Sequence, residues 1–145
     1  MKFKNFIKIF FAILFVFVST NSYAKTIKWS MQGDSLTLDP HAQNEGPTTQ
    51  VSRQVYEALV TRGLDMSIEP QLATDWKTTD PNTWIFNLRK DVKFSDGSNM
   101  TAKDVVFSIL RAKQPTSDFK EYISTISDVK EIDNYTVQIL SLIHI

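Results

Sequence analysis

The clearest alternation of apolar and polar residues lies in residues 82–108. Large apolar side chains occupy every second position of residues 84–88, which predicts a strand with one buried face. The alternation resumes at residues 92–94 and predicts a second strand. Asp96 and Gly97 follow as a predicted turn, because Gly accepts positive φ and Asp bonds to its own backbone.

A helix is predicted to follow this turn. Thr101 offers an N-cap hydroxyl, and Asp104, three positions later, can complete a capping box. Apolar side chains then recur at helical spacing, at Val105, Val106, Ile109 and Leu110. Pro115 ends the pattern. The order strand, turn, strand and capped helix predicts a compact α/β unit.

The preceding part of the chain gives three predicted elements. Alternating apolar residues predict a strand over residues 25–31. Residues 33–49 are rich in Gly, Pro, Asn, Asp and Thr without apolar periodicity, which predicts a long loop. A helix is predicted over residues 49–61, with Gly63 as its C-terminal cap. Its predicted buried stripe is Val51, Val55, Ala58 and Leu59.

Further elements are predicted on either side of the central unit. Residues 64–80 should be extended, and Asp80–Pro81–Asn82 should turn the chain into the central strand. The core contacts predicted for that segment are Ile68, Leu72 and Trp76. Apolar spacing predicts a short amphipathic helix over residues 119–126. Residues 129–132 and 135–140 are predicted to be two strands around a turn at Asp133–Asn134.

The first 24 residues have the three parts of a secretory signal peptide. Three lysines precede an apolar run at residues 9–18, and small residues stand at Ser22 and Ala24. The run is short for a membrane span, so we expect cleavage after Ala24, the alternative being an uncleaved anchor helix. The chain has no Cys. We therefore expect no disulfides and no lipid anchor on an N-terminal cysteine. We therefore expect a periplasmic protein without a lipid anchor and without stable membrane insertion.

The charge balance argues against a nucleic-acid partner. The chain has 16 basic and 16 acidic side chains, and loss of three lysines with residues 1–24 would leave 13 basic against 16 acidic. A nucleic-acid-binding domain usually carries a basic surface instead. The remaining 121 of the 145 residues can bury one modest core.

Few residues suggest catalytic chemistry. The chain has two His and no Cys, and His41 has no recognisable partner for acid–base work. Asp39, His41 and Glu45 lack a recognised metal-ligand spacing. Gly33 and Gly46 are isolated, so no phosphate-binding loop is indicated. We expect no enzyme activity, no metal and no cofactor.

Several sequence motifs resemble one protein family. Residues 84–97 read W-x-F-x-L-R-x-x-V-K-F-x-D-G, and residues 101–108 read T-A-x-D-V-V-F-S. Two shorter matches precede them, Q-L-A-T-D-W at residues 71–76 and T-L-D-P at residues 37–40. This ordered set, over about residues 27–140, resembles the solute-binding subunits of ABC importers for peptides, nickel and related solutes.

The resemblance implies an α/β fold of the type II periplasmic binding protein kind, of which this chain would be the first part of lobe I only. Residues 25–64 would start lobe I, and residues 65–145 would be its inserted subdomain, truncated at the C-terminal end. The implied function is to bind a solute, most often a peptide, and to deliver it to a membrane permease. ATP hydrolysis would belong to partner subunits.

The candidate binding residues lie in the loop of residues 38–48. A strand that leads through a polar loop into a helix is how α/β domains place ligand contacts. In the resembling proteins the matching loop lies along the cleft between two lobes. The resemblance therefore proposes as ligand-side residues Gln43, Asn44, Glu45, Gly46 and Thr48. Asp39 is expected to fix the turn before Pro40, whereas the aromatic residues Trp76, Trp84, Phe86 and Phe94 are expected in the core.

Two functions of other classes remain open from the sequence. One is a secreted hydrolase domain with a nucleophile in residues 39–48, and the other is a small structural periplasmic protein. The solute is also open, because relatives bind peptides, nickel chelates, haem, glutathione or sugars. Residues 141–145 depart from the family pattern, which suggests a fragment or a broken reading frame.

Overall fold

The computed structural model describes residues 26–143; residues 1–25, which include the predicted signal peptide, and residues 144–145 lie outside this range. Two helices and six strands are assigned within this range. In chain order they are α1 (Gly46–Val55), β1 (Val60–Arg62), β2 (Ile68–Pro70), β3 (Ala73–Asp80), β4 (Thr83–Leu88), α2 (Ala102–Ala112), β5 (Ile126–Asp133) and β6 (Thr136–Ser141).

The largest element of the fold is an antiparallel sheet of four strands in the order β3–β4–β6–β5. The turn predicted at residues 80–82 joins β3 to β4, and the Asp80 carboxylate accepts the Asn82 N–H at 2.9 Å. The predicted second hairpin joins β5 to β6, where Asp133 accepts the Tyr135 N–H at 2.8 Å. Both turns are confirmed. A separate two-stranded ladder pairs β1 with β2.

One face of this sheet carries the core. Across β4 and β6, Trp84 pairs with Ile139 and Phe86 with Val137, so these side chains share a face. Helix α2 covers part of that face with Ala102 and Val105, both buried. The buried members of the cluster are Leu88, Met100, Ala102, Val105, Val129, Val137 and Ile139. Burial of an aliphatic side chain of this size contributes about 1.5–3 kcal/mol, so this cluster is the main source of stability.

Helix α2 has the predicted start. The Asp104 carboxylate accepts the Thr101 backbone N–H at 2.7 Å and the Thr101 hydroxyl at 3.0 Å. Val105 is buried and Val106 and Ile109 pack on the core, as predicted, although Leu110 is exposed. The helix ends at Ala112, and the Lys113 ammonium then donates to the Ile126 carbonyl at 2.6 Å. This contact joins the end of α2 to the start of β5.

The segment between β4 and α2 is less regular than predicted. The turn at Asp96 and Gly97 is confirmed: Gly97 has φ +89°, and Asp96 accepts the Ser98 N–H at 2.8 Å. The predicted second strand at residues 92–94 is wrong, since this segment makes only an isolated bridge between Lys93 and Asn99. Because a single bridge does not make a strand, the apolar side chains of this segment are not held on one face of a sheet. Phe94, expected in the core, is 45% exposed.

Helix α1 begins and ends earlier than predicted. Glu45 is its N-cap and Pro47 lies in its first turn, where a missing N–H costs nothing. The helix ends at Val55, because residues 58–59 bond instead to the chain before β3: the Leu72 N–H donates to the Ala58 carbonyl at 3.0 Å. Gly63 therefore lies in the β1–β2 turn and not at a helix end. Val55, Ala58 and Ile68, predicted to be buried, are exposed.

Two further predictions are wrong for a shared reason. Residues 26–31 belong to no strand in the described structure, and Ile27 is 86% exposed. Residues 118–125 form successive turns instead of a helix, and Ile126 already belongs to β5. Alternation or helical spacing alone does not stabilise an element, because a strand needs a neighbour to satisfy its backbone and a short helix needs a packing surface.

Candidate functional site

The loop of residues 38–48 leads into the N-terminus of helix α1. Its first bend is fixed by Asp39, whose Oδ1 accepts the His41 N–H at 3.0 Å. This is the turn role predicted for Asp39. The Tyr56 hydroxyl donates to the Leu38 carbonyl at 2.7 Å, so the far end of α1 holds the start of the loop. The loop is thus bound to the helix that it precedes.

An ion pair joins the loop to helix α2. Arg111, in the last turn of α2, donates from Nη1 to Asp39 Oδ1 at 2.9 Å and from Nη2 to Oδ2. The same Nη1 lies 3.2 Å from His41 Nδ1. We refer to Asp39, His41 and Arg111 as the loop clasp. These three side chains are partly exposed, and Asp39 and Arg111 are 72 positions apart in the chain.

The electrostatics of the loop clasp follow from this geometry. The hydrogen bonds from Arg111 hold the pKa of Asp39 below its usual value, and the His41 backbone N–H lowers it further. Burial lowers the pKa of His41, and the positive charge of Arg111 adds to that effect. Both shifts favour an ionised carboxylate beside a neutral imidazole. The imidazole ring also meets the edge of Phe119, with 6.5 Å between the ring centroids.

Two of the five candidate residues hold the junction between the loop and α1. Glu45 Oε1 accepts the Thr48 N–H at 2.9 Å, which satisfies one of the free N–H groups at the helix start. Thr48 is only 1% exposed, and its hydroxyl accepts the Leu36 N–H at 3.0 Å. Both side chains therefore fix the backbone of the loop.

The other three candidate residues are more open. Gly46 is exposed, and a Cβ at this position would meet no atom within 4 Å. Asn44 is exposed, and its Nδ2 donates to the Tyr122 hydroxyl at 2.9 Å. Gln43 lines a shallow cleft together with Ser52, Arg53, Tyr56 and Phe119. The five residues therefore lie together, and this part of the loop offers amide groups and open backbone.

A second concave surface lies on the apolar face of the sheet. Phe86 stacks between Trp76 and Trp84, with centroid distances of 6.3 and 6.4 Å. The space beside them, about 390 Å³, is bordered by Ile68 and Tyr122. We refer to it as the aromatic groove. Trp76, Trp84 and Phe86 are partly buried, and the Trp84 Nε1–H is shielded from solvent without a described acceptor.

Neither a metal centre nor a membrane span is found in the part of the chain that the structure describes. No group of three or more His, Cys, Asp or Glu side chains in residues 26–143 has the geometry to hold a metal ion. Within the same range, no helix has the length and apolar character needed to cross a bilayer.

The sequence model described as bacterial extracellular solute-binding proteins, family 5 middle, matches residues 67–140, just over half of the chain. The chain belongs to this family. The matched residues include the sheet and α2, and the family's members are solute-binding proteins and not enzymes. The resemblance inferred from the motifs is therefore confirmed.

Individual relatives agree with this family membership. The periplasmic oligopeptide-binding protein OppA of Escherichia coli K12 is 34% identical over an alignment of 122 positions that covers 71% of this chain and 22% of OppA. OppA of Haemophilus influenzae in complex with RPPGFSPFR has a TM-score of 0.72 and 29% identity, over 77% of this chain and 26% of that one. MoaA from A. tumefaciens R10 in complex with mannopinic acid has a TM-score of 0.71 and 36% identity, over 77% and 24%.

These solved structures confirm the predicted fold class. The fold of this family 5 chain is α/β and corresponds to part of a type II periplasmic binding protein. The chain spans about a fifth of the length of the curated relatives that it matches.

Sequence reasoning missed one part of the site. Arg111 was not singled out, because nothing in the spacing of the residues connects it to Asp39. From the sequence, His41 is either a lone imidazole or a metal ligand with Asp39 and Glu45, whereas the structure gives it Arg111 and Phe119 as neighbours. Two sequence features indicate this contact only weakly. They are a basic residue in the last turn of a predicted helix and an acidic residue beside a proline turn.

Proposed function

We propose that this family 5 chain is part of the substrate-binding component of an ABC importer, which binds peptides and delivers them to a membrane permease. The observation that carries the proposal is the family match over residues 67–140, together with a 34% identical relative named for oligopeptide binding. An ATPase subunit would supply the energy for transport. The periplasm is the proposed location, because the relative is periplasmic and residues 1–24 have the pattern of a cleavable signal peptide without a lipid anchor.

The proposed domain layout follows the resemblance. Residues 25–64 would start lobe I, and residues 65–145 would form its inserted subdomain. In this layout the β1–β2 turn at residues 63–67 lies at the boundary. Helix α2 would belong to the inserted subdomain and the loop of residues 38–48 to the start of the lobe, so the loop clasp would join the two.

The proposed solute-facing surface is the loop of residues 38–48. Gln43, Asn44 and Gly46 would present amide groups and accessible backbone to a peptide main chain, as an added strand would. Glu45 and Thr48 would contribute by holding that backbone in place, since their side chains already bond within the loop and helix. A surface that binds through amides is compatible with many peptide sequences, because all peptides share the same main chain.

Equilibrium dialysis of the purified chain against RPPGFSPFR, trialanine and glutathione tests this proposal. We expect saturable binding of at least one peptide in the millimolar range, because one wall of a cleft supplies only part of the contacts. Mass spectrometry should recover the peptide intact. Cleaved peptide would instead support the hydrolase alternative, and absence of any binding would contradict the proposal.

A matched pair of variants locates the binding surface. Gln43→Ala removes an amide from the proposed surface, and we expect it to weaken peptide binding several-fold. Lys77→Ala changes an exposed residue of β3 and should leave binding unchanged. Equal effects of the two substitutions would contradict the assignment of the loop.

A further inference from the structure

We propose that Arg111 is a positioning residue for the candidate solute loop, and that it holds this loop through Asp39 and a neutral His41. The inference rests on the proposed function only in naming what the loop binds. The positioning itself is a property of the chain without any solute, so it can be tested separately.

The ion pair of Arg111 with Asp39 connects two parts of the chain that are far apart in sequence. The structure contains two ion pairs within residues 26–143. Arg89 and Asp91 are two positions apart, so their pair restrains only a local bend. Arg111 and Asp39 are 72 positions apart, and a two-pronged guanidinium–carboxylate contact fixes orientation as well as distance. The second pair therefore connects the loop to a helix that packs on the core.

The contact with Arg111 determines the protonation state of His41. A guanidinium has only N–H donors and stays protonated in proteins. The 3.2 Å contact between Arg111 Nη1 and His41 Nδ1 therefore requires a lone pair on Nδ1. The imidazole must be neutral, with its proton on Nε2. A protonated imidazole would place an N–H opposite an N–H and two positive charges side by side.

His41 also joins three segments, namely the loop, α2 and the turns of residues 115–125. The backbone N–H of His41 donates to the Asp39 carboxylate in the loop, and its imidazole ring contacts Arg111 of α2. The backbone carbonyl of His41 accepts the Asp118 N–H at 3.0 Å. The ring also packs against Phe119. Loss of the imidazole contact with Arg111 should thus loosen the loop from both α2 and the turns of residues 115–125.

The pH dependence follows with a definite sign. The charged groups next to the His41 ring are Asp39 and Arg111. Asp118 is also close, because its backbone N–H donates to the His41 carbonyl. Near Arg111, the further titratable group is Tyr56. The pKa of His41 is lowered from 6.5, so its contribution is complete above pH 6.5 and is lost as the pH falls below that value. The pKa of Asp39 is lowered from 3.8, so the Asp39 contribution is lost only in stronger acid. Between these values the loop should loosen while the ion pair remains.

Amide hydrogen exchange of the full chain, measured without solute, tests the inference. The reporters are the hydrogen-bonded amides of His41, Ala42 and Asp118, compared with amides of β4 and β6. We expect Arg111→Gln to accelerate exchange at the three reporters by about tenfold or more and to leave the sheet amides unchanged. Arg89→Gln, which breaks the local pair, is the matched control and should change neither set.

Two further variants separate positioning from a general effect on folding. Arg111→Lys keeps the charge but cannot reach both carboxylate oxygens and the imidazole at once, so it should restore protection only in part. His41→Gln can still accept from Arg111 but does not titrate. In the native chain, reporter protection corrected for intrinsic exchange should be constant above about pH 6.5 and should fall as the pH drops from there toward about pH 5, and in His41→Gln it should stay constant over the whole range.

The results that would overturn this inference differ from those that would count against the proposed function. Reporter exchange that changes less than about twofold in Arg111→Gln would overturn the inference, and so would equal acceleration in the loop and the sheet. A pH dependence that persists in His41→Gln would also overturn it. Absence of peptide binding by the native chain would instead count against the proposed function and would leave these exchange results as they stand.

Discussion

The sheet with helix α2 and the loop of residues 38–48 are held by different kinds of contact. The sheet buries a cluster of aliphatic side chains and pairs its backbone over four strands. The loop buries Thr48 alone among residues 38–48 and depends on single side-chain contacts to α1, α2 and Tyr122. Hydrophobic burial is non-directional and large in sum, whereas each polar contact is directional and small. We therefore expect that the loop can loosen without unfolding the sheet.

The largest expected effect is in the sheet core. Leu88 is 3% exposed, and Leu88→Ala should lower the free energy of unfolding by about 2–5 kcal/mol through lost burial and a cavity. Urea denaturation followed by circular dichroism measures this change. Leu64→Ala is the matched control, since Leu64 is fully exposed and should change stability by no more than about 0.5 kcal/mol. Similar costs at the two positions would contradict the assignment of the core.

A smaller effect is expected from a glycine in each region. Gly97 has φ +89° in the turn before α2, so Gly97→Ala should cost about 1–2 kcal/mol for a side chain in the left-handed region. Gly46 begins α1 with open space around its Cβ position, so Gly46→Ala should be neutral or slightly stabilising. Thermal melting of the two variants makes the comparison. A larger loss from Gly46→Ala would show that the loop and not the turn is the strained position.

The smallest effect is expected within the loop itself. Thr48→Val keeps the shape of the side chain but removes the acceptor of the Leu36 N–H, which should cost about 1 kcal/mol. Thr48→Ser retains the hydroxyl and serves as the control for that bond. Hydrogen exchange should rise at Leu36 and neighbouring loop amides, with β4 and β6 unaffected. Acceleration across the sheet would contradict the independence of the two regions.

The same division explains which features the sequence predicted. Strands β4, β5 and β6, helix α2 and their turns were predicted because local alternation, capping and turn residues agree with the fold. The strand predicted over residues 25–31 is absent from residues 26–31 and the helix predicted over residues 119–126 is absent, because each depends on a partner that local spacing does not specify. Helix α1 ended early for a similar reason, since residues 58–59 bond to residues 71–73.

The candidate site was predictable only in part. The resemblance pointed to residues 38–48, and Asp39 was assigned its turn correctly. The contact with Arg111 was not predicted, because the ion pair depends on a fold that brings residues 72 positions apart together. Which of the five candidate residues hold the backbone and which are open depends on the three-dimensional fold and not on local sequence. Thr48 and Gly46 are both small residues near a helix start, yet one is buried and the other exposed.

The most direct test is to map where a peptide contacts the chain. Two concave surfaces compete: the shallow cleft that Gln43 lines beside the loop, and the aromatic groove of Trp76, Trp84 and Phe86. Titration of the isotope-labelled chain with RPPGFSPFR, followed by amide and indole NMR signals, distinguishes them. We expect saturable shifts at residues 43–48 and constant signals from both tryptophans of the groove. Shifts confined to the groove, with the loop amides unchanged, would contradict the assignment of the loop as the solute-binding surface.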